Sequence, residues 1–373
     1  MGVLGDKVKP LTEGQAKLVE ALRDREVELV GVFGPTGTGK SLLTVAYGYD
    51  ALREGQYRRF VVARPVVDVE TGRELLASEL GDAYGEVMMR YLEDLASAYI
   101  ERSELEGLIS SGRIQFADTH LLRGRSFDES LVFLDDAQHV PTESLLEIIS
   151  RMGRGSKLVI AGDPVFQSRE VAQQVQVARE LLVGEEKARV VDLGLSDIVR
   201  PGARRAARLL LELRMRSRQL SEDERRVVES MRIHAPDAEV VTVLDARELA
   251  KRFSLQEGAS AFFVVVKAGH YGRAIGKKGE RIAKVEEELG QKVRIAEATL
   301  NMGQLLRSIH PLPRALSAAR RIDLEGNAVV IHVPEGKAGP IIGQKGVFIR
   351  FTDAVLWRLM GTRVIVRQEG GQS

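Results

Sequence analysis

The feature that most constrains this chain is a glycine-rich octapeptide near its amino terminus. It reads Gly34-Pro35-Thr36-Gly37-Thr38-Gly39-Lys40-Ser41 and matches every fixed position of the pattern G-x-x-x-x-G-K-[ST]. The apolar segment 28–33 before it predicts a buried strand, and the segment 42–47 after it predicts the start of an apolar helix. When a strand, a glycine loop and a helix follow one another in this order, the backbone N–H groups of the loop and the positive N-terminal end of the helix can bind phosphate. The pattern therefore predicts that the chain binds a nucleoside triphosphate.

Lys40 and Ser41 have the most specific roles in this pattern. The Lys40 ammonium would reach the β and γ phosphates, and the Ser41 hydroxyl would bind Mg²⁺, which also takes oxygens from water and phosphate. The other loop positions would contribute backbone groups, and they are Gly34, Pro35, Thr36, Gly37, Thr38 and Gly39. The alternative is a glycine-rich turn that binds nothing.

Composition narrows the class of protein further. With 373 residues, 44% of them hydrophobic and 29% charged, the chain is long enough for two or three globular domains. It has no cysteine, which excludes disulfides, cysteine-ligated zinc and thiol catalysis, and its six histidines are scattered. Because no segment resembles a signal peptide or a membrane span, we expect a soluble, cytoplasmic protein with no membrane partner.

Short apolar segments alternate with longer helical stretches as far as residue 193. Segments of this kind, apolar almost throughout and separated by helices, are typical of a parallel sheet covered on both faces. We therefore expect an α/β nucleotide-binding architecture, with the ligand at the carboxyl ends of the strands. The strand candidates are 28–33, 59–63, 113–117, 130–134, 157–161 and 188–193.

Two carboxylates follow one of these predicted strands. Leu131 to Leu134 are apolar, and Asp135 and Asp136 come directly after them, which is the Walker-B arrangement. Asp135 is the better candidate for the Mg²⁺ shell, and Asp136 for polarising the attacking water. The alternative for this pair is a helix cap in front of Ala137.

From these motifs the amino-terminal part resembles the PhoH-like ATPases, whose core is related to superfamily-one helicases. The resemblance covers about 10–167, and more weakly reaches Arg200. Besides the glycine loop, the matching pieces are Leu11-Thr12-Glu13-Gly14-Gln15, Ala63-Arg64-Pro65, Leu122-Arg123-Gly124-Arg125-Ser126, Leu134-Asp135-Asp136-Ala137-Gln138, Gly155-Ser156-Lys157, Gly162-Asp163-Pro164 and Asp197-Ile198-Val199-Arg200.

The resemblance implies roles for further residues. Gln15 would contact adenine, which favours ATP, and Arg200 would act as a γ-phosphate finger. Arg64 and Arg125 would lie near the nucleotide or a subunit boundary. Gln167 is a candidate γ-phosphate sensor, although the family's Gly-Asp-x-x-Gln motif places its glutamine one position earlier. The resemblance also implies a homo-oligomer, with a hexameric ring as one form.

One departure from the family concerns the catalytic carboxylate. The family usually has Asp-Glu-Ala-Gln where this chain has Asp135-Asp136-Ala137-Gln138, so the carboxylate of Asp136 is one methylene shorter. Either the active site is adjusted to the shorter side chain or hydrolysis is slow.

The carboxyl-terminal part contains an internal repeat. A shift of 67 positions superposes eight identical residues of the segment 266–282 on the segment 333–349, and each copy lies between an apolar strand and a helix. Each contains a G-x-x-G loop, typical of KH domains, which clamp about four unpaired nucleotides. The candidate RNA-binding residues are Gly276, Lys277, Lys278 and Gly279 in the first loop and Gly343, Gln344, Lys345 and Gly346 in the second. A chance turn is the alternative.

The two copies resemble the tandem KH modules of NusA-like proteins over about 240–368. We expect more phosphate affinity from the first loop, because it has two lysines where the second has one. Neither copy is rich in aromatic residues, and Trp357 lies in an apolar helix, so we expect it in the core rather than as a platform for bases.

The expected fold class is α/β: a parallel sheet of P-loop NTPase type flanked by helices, followed by two small α/β domains of KH type. The boundaries predicted are 1–200 for the ATPase domain, 201–238 for an arginine-rich helical linker, 239–300 for the first KH domain and 301–373 for the second. The linker arginines form a nucleic-acid stripe, a subunit contact or simply a solvated helix face.

The leading hypothesis is an ATPase that uses ATP and Mg²⁺, binds single-stranded RNA and remodels it in a helicase-like manner. A nucleotide-gated RNA-binding protein with little turnover is the first alternative. A P-loop kinase is the second, but it leaves the repeated loops unexplained.

Overall fold

The computed structural model describes residues 2–68, 70–71, 73–118, 126–165, 167, 169–255 and 260–369. The chain divides into two compact units, residues 1–203 and 204–373. No helix within the described ranges is long and apolar enough to cross a membrane.

The first unit is built on a six-stranded sheet in which every pairing is parallel. The strands lie in the order β5-β2-β6-β7-β1-β8. The strands of this unit are β1 (Leu29–Phe33), β2 (Arg59–Ala63), β3 (Val66–Val67), β4 (Glu74–Leu75), β5 (Ile114–Ala117), β6 (Ser130–Leu134), β7 (Lys157–Gly162) and β8 (Ala188–Asp192). Its helices are α1 (Val3–Asp6), α2 (Glu13–Arg23), α3 (Lys40–Arg53), α4 (Ala77–Leu80), α5 (Asp82–Ala96), α6 (Arg102–Ser110), α7 (Thr142–Ile149) and α8 (Arg169–Leu182).

Strand β6 shows why the apolar segments become central strands. Leu131 and Phe133 belong to one hydrophobic cluster, whereas Val132 and Leu134 belong to a second one. Since successive side chains of a strand point to opposite faces, the strand contributes to both clusters. The sheet is therefore buried on both sides, as the uninterrupted apolar pattern predicts, and the predicted α/β fold of P-loop NTPase type is confirmed.

The second unit contains two three-stranded sheets, ordered β11-β10-β9 and β12-β13-β14. Its strands are β9 (Val240–Asp245), β10 (Phe262–Val266), β11 (Val293–Glu297), β12 (Arg321–Glu325), β13 (Ala328–Pro334) and β14 (Arg363–Glu369). The remaining helices are α9 (Pro201–Arg216), α10 (Glu222–His234), α11 (Arg247–Arg252), α12 (Tyr271–Ile275), α13 (Glu280–Leu289), α14 (Met302–Ile309), α15 (Gly339–Ile342) and α16 (Val347–Met360).

The two copies of the repeat have the same topology. In each, the central strand (β10 or β13) pairs antiparallel with the strand before it and parallel with the strand after the G-x-x-G loop. The helix after each loop ends at a glycine in the left-handed conformation, Gly290 or Gly361, with φ of +61° and +72°. A glycine adopts that conformation at no steric cost, so it is a natural helix terminator.

One prediction about the second copy is wrong. Trp357 is 47% exposed on α16, rather than buried in the core, and the Arg363 guanidinium lies 5.7 Å from its ring centroid. The helix buries Val355, Leu356 and Leu359 instead. A helix in a two-layer domain buries one stripe, and this tryptophan lies outside that stripe.

Candidate functional site

The glycine loop connects β1 to α3 at the carboxyl edge of the sheet. Gly37 and Gly39 have φ of +84° and +85°, a region that side chains disfavour. A Cβ on Gly37 would lie 2.4 Å from the Cβ of Ala203. The Gly37 carbonyl accepts hydrogen bonds from the backbone N–H groups of Val199 (3.1 Å) and Arg200 (3.4 Å). The predicted Asp197 to Arg200 element therefore supports the tip of the loop.

The Lys40 side chain folds back onto the glycine loop that precedes it. Its Nζ donates to the carbonyl oxygens of Gly34 at 2.6 Å and Pro35 at 3.0 Å. Burial lowers the pKa of Lys40, while the carboxylates of Asp163, Asp135 and Asp136 oppose that shift. A buried ammonium held by two carbonyls is placed to exchange them for phosphate oxygens.

Ser41 and Asp135 meet at the end of β6. The Ser41 hydroxyl donates to Asp135 Oδ2 at 2.6 Å, and the Tyr91 hydroxyl on α5 donates to the same oxygen at 2.5 Å. Burial raises the pKa of Asp135, and the charge of Asp136 raises it further, whereas the two hydrogen bonds lower it. Hydroxyl and carboxylate oxygens are the ligands that Mg²⁺ prefers.

These two residues therefore fit a Mg²⁺ ion that takes its other ligands from water and phosphate. Within the described part of the chain, no cluster of three or more acidic or histidine side chains forms an all-protein metal site. Mg²⁺ at phosphate sites usually has one or two protein ligands, which agrees with the pair present here.

Asp136 adopts a left-handed backbone conformation, with φ of +51°. Its Oδ2 accepts from Arg64 Nε at 2.6 Å, and its Oδ1 accepts from Gln138 Nε2 at 3.0 Å. Burial would raise the pKa of Asp136, but the Arg64 charge and the Gln138 hydrogen bond hold it below its usual value. The Arg64 guanidinium lies 4.6 Å from the ring centroid of Tyr91. The carboxylate is thus ionised and oriented.

Asp163, at the end of β7, joins the loop to the neighbouring strand. Its Oδ2 accepts from the Thr36 backbone N–H at 3.0 Å, and its own N–H donates to Gln138 Oε1 at 3.1 Å. Gln138 therefore bridges Asp136 and Asp163. The sequence identified Gly162-Asp163-Pro164 as a matching piece but gave Asp163 no role, although its position just after a predicted strand was a usable signal.

The other predicted residues have different surroundings. Gln15 is buried, and its Nε2 donates to the Thr38 carbonyl at 2.9 Å while its Oε1 accepts from the Leu11 N–H at 2.7 Å. Arg200 is exposed beside the loop tip. Arg125 lies outside the described residues, and Gln167 is half-buried. The roles of these four side chains in nucleotide binding remain predictions.

Tyr91 is a residue that sequence reasoning missed. It lies on α5, in a stretch with no motif, and only the fold brings it to Asp135, which is 44 residues away in sequence. Burial raises its pKa well above the usual value, and the nearby Asp135 charge adds to that shift. The hydroxyl is therefore a donor throughout the physiological pH range.

The two G-x-x-G loops have nearly identical backbones. The first and last glycines have φ of +75° and +83° in the first loop and +73° and +77° in the second. The third residues, Lys278 and Lys345, have φ of +54° and +53°. Lys277 and Lys278 are both exposed, so their ammonium groups are accessible to a phosphate backbone.

The sheet, the glycine loop and the carboxylates at its edge define a P-loop NTPase fold, which the repeat-containing unit follows. A family model described as "PhoH-like protein" matches residues 7–212, and a "KH domain" model matches residues 238–301. The chain belongs to the PhoH-like protein family and carries a KH domain.

Curated relatives match the first unit. A PhoH-like protein of Bacillus subtilis is 30% identical over 198 residues, 52% of this chain and 61% of that protein. A PhoH-like protein of Mycobacterium leprae is 29% identical over 198 residues and 56% of its length. This chain therefore spans about three fifths of the length of these relatives. Among solved structures, the large terminase of bacteriophage D6E is 13% identical, with a TM-score of 0.36, over 54% of this chain and 50% of that one.

Proposed function

We propose that this protein hydrolyses ATP and binds single-stranded RNA, with the two activities coupled. The observation that carries the first part is the convergence of Lys40, Ser41, Asp135 and Asp136 at one edge of the parallel sheet. Lys40 would bind the β and γ phosphates, and the loop N–H groups would surround them. Gln15, beside the loop, would contact adenine.

The reaction we propose is attack of water on the γ-phosphorus, with cleavage of the bond to the β–γ bridging oxygen and release of ADP and phosphate. When bound through Ser41 and Asp135, Mg²⁺ would neutralise charge on the β and γ phosphate oxygens. Asp136 would orient the water and accept its proton. Arg64 keeps that carboxylate ionised and fixed, at a salt-bridge distance of 2.6 Å.

Three further side chains would complete the site. Arg200 would serve as a γ-phosphate finger, Arg125 would lie near the nucleotide or a subunit boundary, and Gln167 would sense the γ-phosphate. Residues divided across a boundary would make activity depend on assembly. We therefore propose a homo-oligomer, with a hexameric ring as the first form to test.

The RNA part of the proposal rests on the repeated loops. The KH match at 238–301 contains the first loop, and the second has the same backbone angles between the same elements. We propose that 239–300 and 301–373 form two KH domains, after an ATPase domain at 1–200 and a helical linker at 201–238. Each G-x-x-G loop would hold the backbone of unpaired nucleotides.

A nucleotide-gated RNA-binding protein with little turnover is the second candidate. One observation favours it: Asp136 is both shorter than the family's usual glutamate and engaged with Arg64 and Gln138. In that case ATP would change RNA affinity without rapid hydrolysis.

Two measurements on the full chain separate these candidates. Phosphate release from Mg²⁺-ATP should be measurable and should fall at least 100-fold in Lys40→Ala, since that change removes a buried cation from the phosphates. Fluorescence anisotropy should show binding of a labelled single-stranded RNA 12-mer. ATP-dependent RNA affinity without phosphate release would support the gated protein, and no effect of ATP at all would contradict both.

A further inference from the structure

The second unit contains a cavity of about 720 Å³ whose walls come from both copies of the repeat. The first copy contributes Phe263 on β10 and Arg294 on β11, with Phe253 from the segment after α11. The second copy contributes Gln344 and Lys345 of its G-x-x-G loop and two phenylalanines at the start of α16, Phe348 and Phe351. A volume in this range is typical of pockets that hold small organic ligands.

Phe263 faces this cavity because successive side chains of strand β10 point to opposite faces of the sheet. Phe262 and Val264 pack in the core against α10 and α13, so Phe263 lies on the opposite face of the sheet. Its ring centroid is 6.2 Å from that of Phe351, and the Phe253 ring meets Phe351 edge-on at 6.4 Å. Phe263 and Phe351 are 2% exposed and form the floor, whereas Phe253 is half-buried and forms part of the wall.

Arg294 places a positive charge beside these rings. Its Nη1 donates to the His310 carbonyl at 2.9 Å. Burial lowers the pKa of Arg294, and within the described ranges no carboxylate forms a salt bridge with it. A partly desolvated guanidinium beside a cavity, without a carboxylate partner, is a suitable site for an anion such as phosphate.

The two G-x-x-G loops differ at one equivalent position. In the second loop the Phe348 ring covers Gly343 so closely that a Cβ there would lie 2.7 Å from Phe348 Cγ. The equivalent residue of the first copy, 67 positions earlier, is Arg281, which covers Gly276 and pairs with Asp237. The second loop therefore has an aromatic neighbour where the first has an ion-paired arginine.

We infer that this cavity, here called the phenylalanine cavity, holds one nucleotide of a single-stranded RNA. The base lies against the half-buried Phe253 ring, above the floor that Phe263 and Phe351 form, because any base can contact an aromatic ring through its π face. The phosphate lies between Arg294 and Lys345 of the second loop. The inference rests on the proposed RNA binding and adds a specific subsite to it. This subsite contacts a base, whereas the G-x-x-G loops contact only the RNA backbone.

An abasic scan tests this inference on the full-length chain. A 5′-labelled oligoadenosine 12-mer carries one abasic residue, moved along the strand, and equilibrium affinity is measured by anisotropy at fixed salt. We expect one position at which loss of the base weakens binding by roughly 5- to 150-fold, the range of base–aromatic stacking. In Phe253→Ala the same abasic substitution should change affinity less than 2-fold, because the ring contact is already lost.

Two further variants complete the design. Arg294→Met should weaken binding of the intact 12-mer at least 5-fold and lower the salt dependence of that binding. This variant tests the inference if Phe253→Ala fails to fold. Trp357→Ala is the matched aromatic control: Trp357 lies on the same helix as Phe351 but outside the cavity lining, so it should leave the abasic penalty unchanged. Thermal unfolding confirms that each variant is folded.

The outcomes separate this inference from the proposed function. In one outcome the wild type binds RNA while Phe253→Ala leaves the effect of every abasic substitution on affinity unchanged. That result overturns the inference and leaves the proposed RNA binding intact. Free AMP provides the second arm: if AMP binding depends on Phe253 and Arg294 while RNA binding does not, a free nucleotide is the ligand and the RNA assignment is wrong. Absence of any RNA binding by the wild type overturns both.

Discussion

The Ser41 hydroxyl and the Asp135 carboxylate lie 2.6 Å apart although 94 residues separate them in the sequence. Ser41 is fixed by the start of α3, and Asp135 by the end of β6, two strands away from β1 in the sheet. Their meeting is a consequence of the parallel sheet, which brings the carboxyl ends of its strands to one edge.

Because Ser41 and Asp135 would act on the same ion, their effects on turnover should not be additive. We expect Ser41→Ala and Asp135→Asn each to lower kcat for phosphate release by roughly 10²-fold or more, and the double variant to be little worse than the more damaging single change. A double variant whose loss equals the product of the two single losses would show that the residues act independently.

Tyr91 should compete with Mg²⁺ for Asp135. Tyr91→Phe removes one of two hydrogen bonds to Asp135 Oδ2, and such bonds to charged groups contribute about 1.5–3 kcal/mol. We therefore expect the Mg²⁺ concentration for half-maximal turnover to fall about 10-fold. Tyr84→Phe, on the same helix, is the control and should leave that concentration unchanged. A higher Mg²⁺ requirement in Tyr91→Phe would show that the hydroxyl supports the ion instead.

The short carboxylate at position 136 should limit turnover. Asp136→Glu extends the side chain by one methylene, and we expect kcat to rise several-fold with little change in KM for ATP. Asp136→Asn removes the proton acceptor and should lower kcat roughly 10²- to 10⁴-fold. If Asp136→Glu is slower than the wild type, the site is adapted to aspartate through Arg64 and Gln138.

Lys157 should make the stability of the first unit depend on pH. Burial lowers its pKa to about 8 from 10.5, and its Nζ donates to the carbonyls of Leu22 and Asp24 at 2.7 Å. Between these two pKa values the unfolded state binds more protons, so stability rises with pH.

Urea unfolding should be measured at pH 7 and at pH 9.5 for the wild type and for Lys157→Met. We expect the free energy of unfolding of the wild type, relative to that of the variant, to rise by about 1 kcal/mol over this range, after discounting for solvent screening. A difference that stays constant over this range would mean that the Lys157 pKa is not lowered.

Local patterns were sufficient to predict the framework of the site. Apolar segments of five or six residues identified the six parallel strands, because a strand buried on both faces needs no polar positions. The glycine loop followed from its fixed spacing, and Asp135 from its place directly after an apolar strand. Arg64 was identified by resemblance alone, and its pairing with Asp136 required the fold.

Contacts made by helices across layers could not be predicted in this way. Tyr91 and Trp357 both occur in amphipathic helices, and which face each helix buries depends on its neighbours. Phe253, Phe263 and Phe351 are scattered over about a hundred residues, so each copy looked poor in aromatics, yet the packing of one copy on the other brings these rings together.

We expect RNA bound by the KH loops to stimulate ATP hydrolysis. The most direct measurement is the ratio of kcat for phosphate release with and without saturating single-stranded RNA, in the wild type, in Lys277→Asp/Lys278→Asp and in a control with Lys251→Asp, an exposed lysine outside both loops. We predict a ratio well above one in the wild type and the control, and close to one in the loop variant at the same RNA concentration, with RNA-free turnover equal in all three. A wild-type ratio of one, with no effect of RNA on ATP affinity, would contradict the claim.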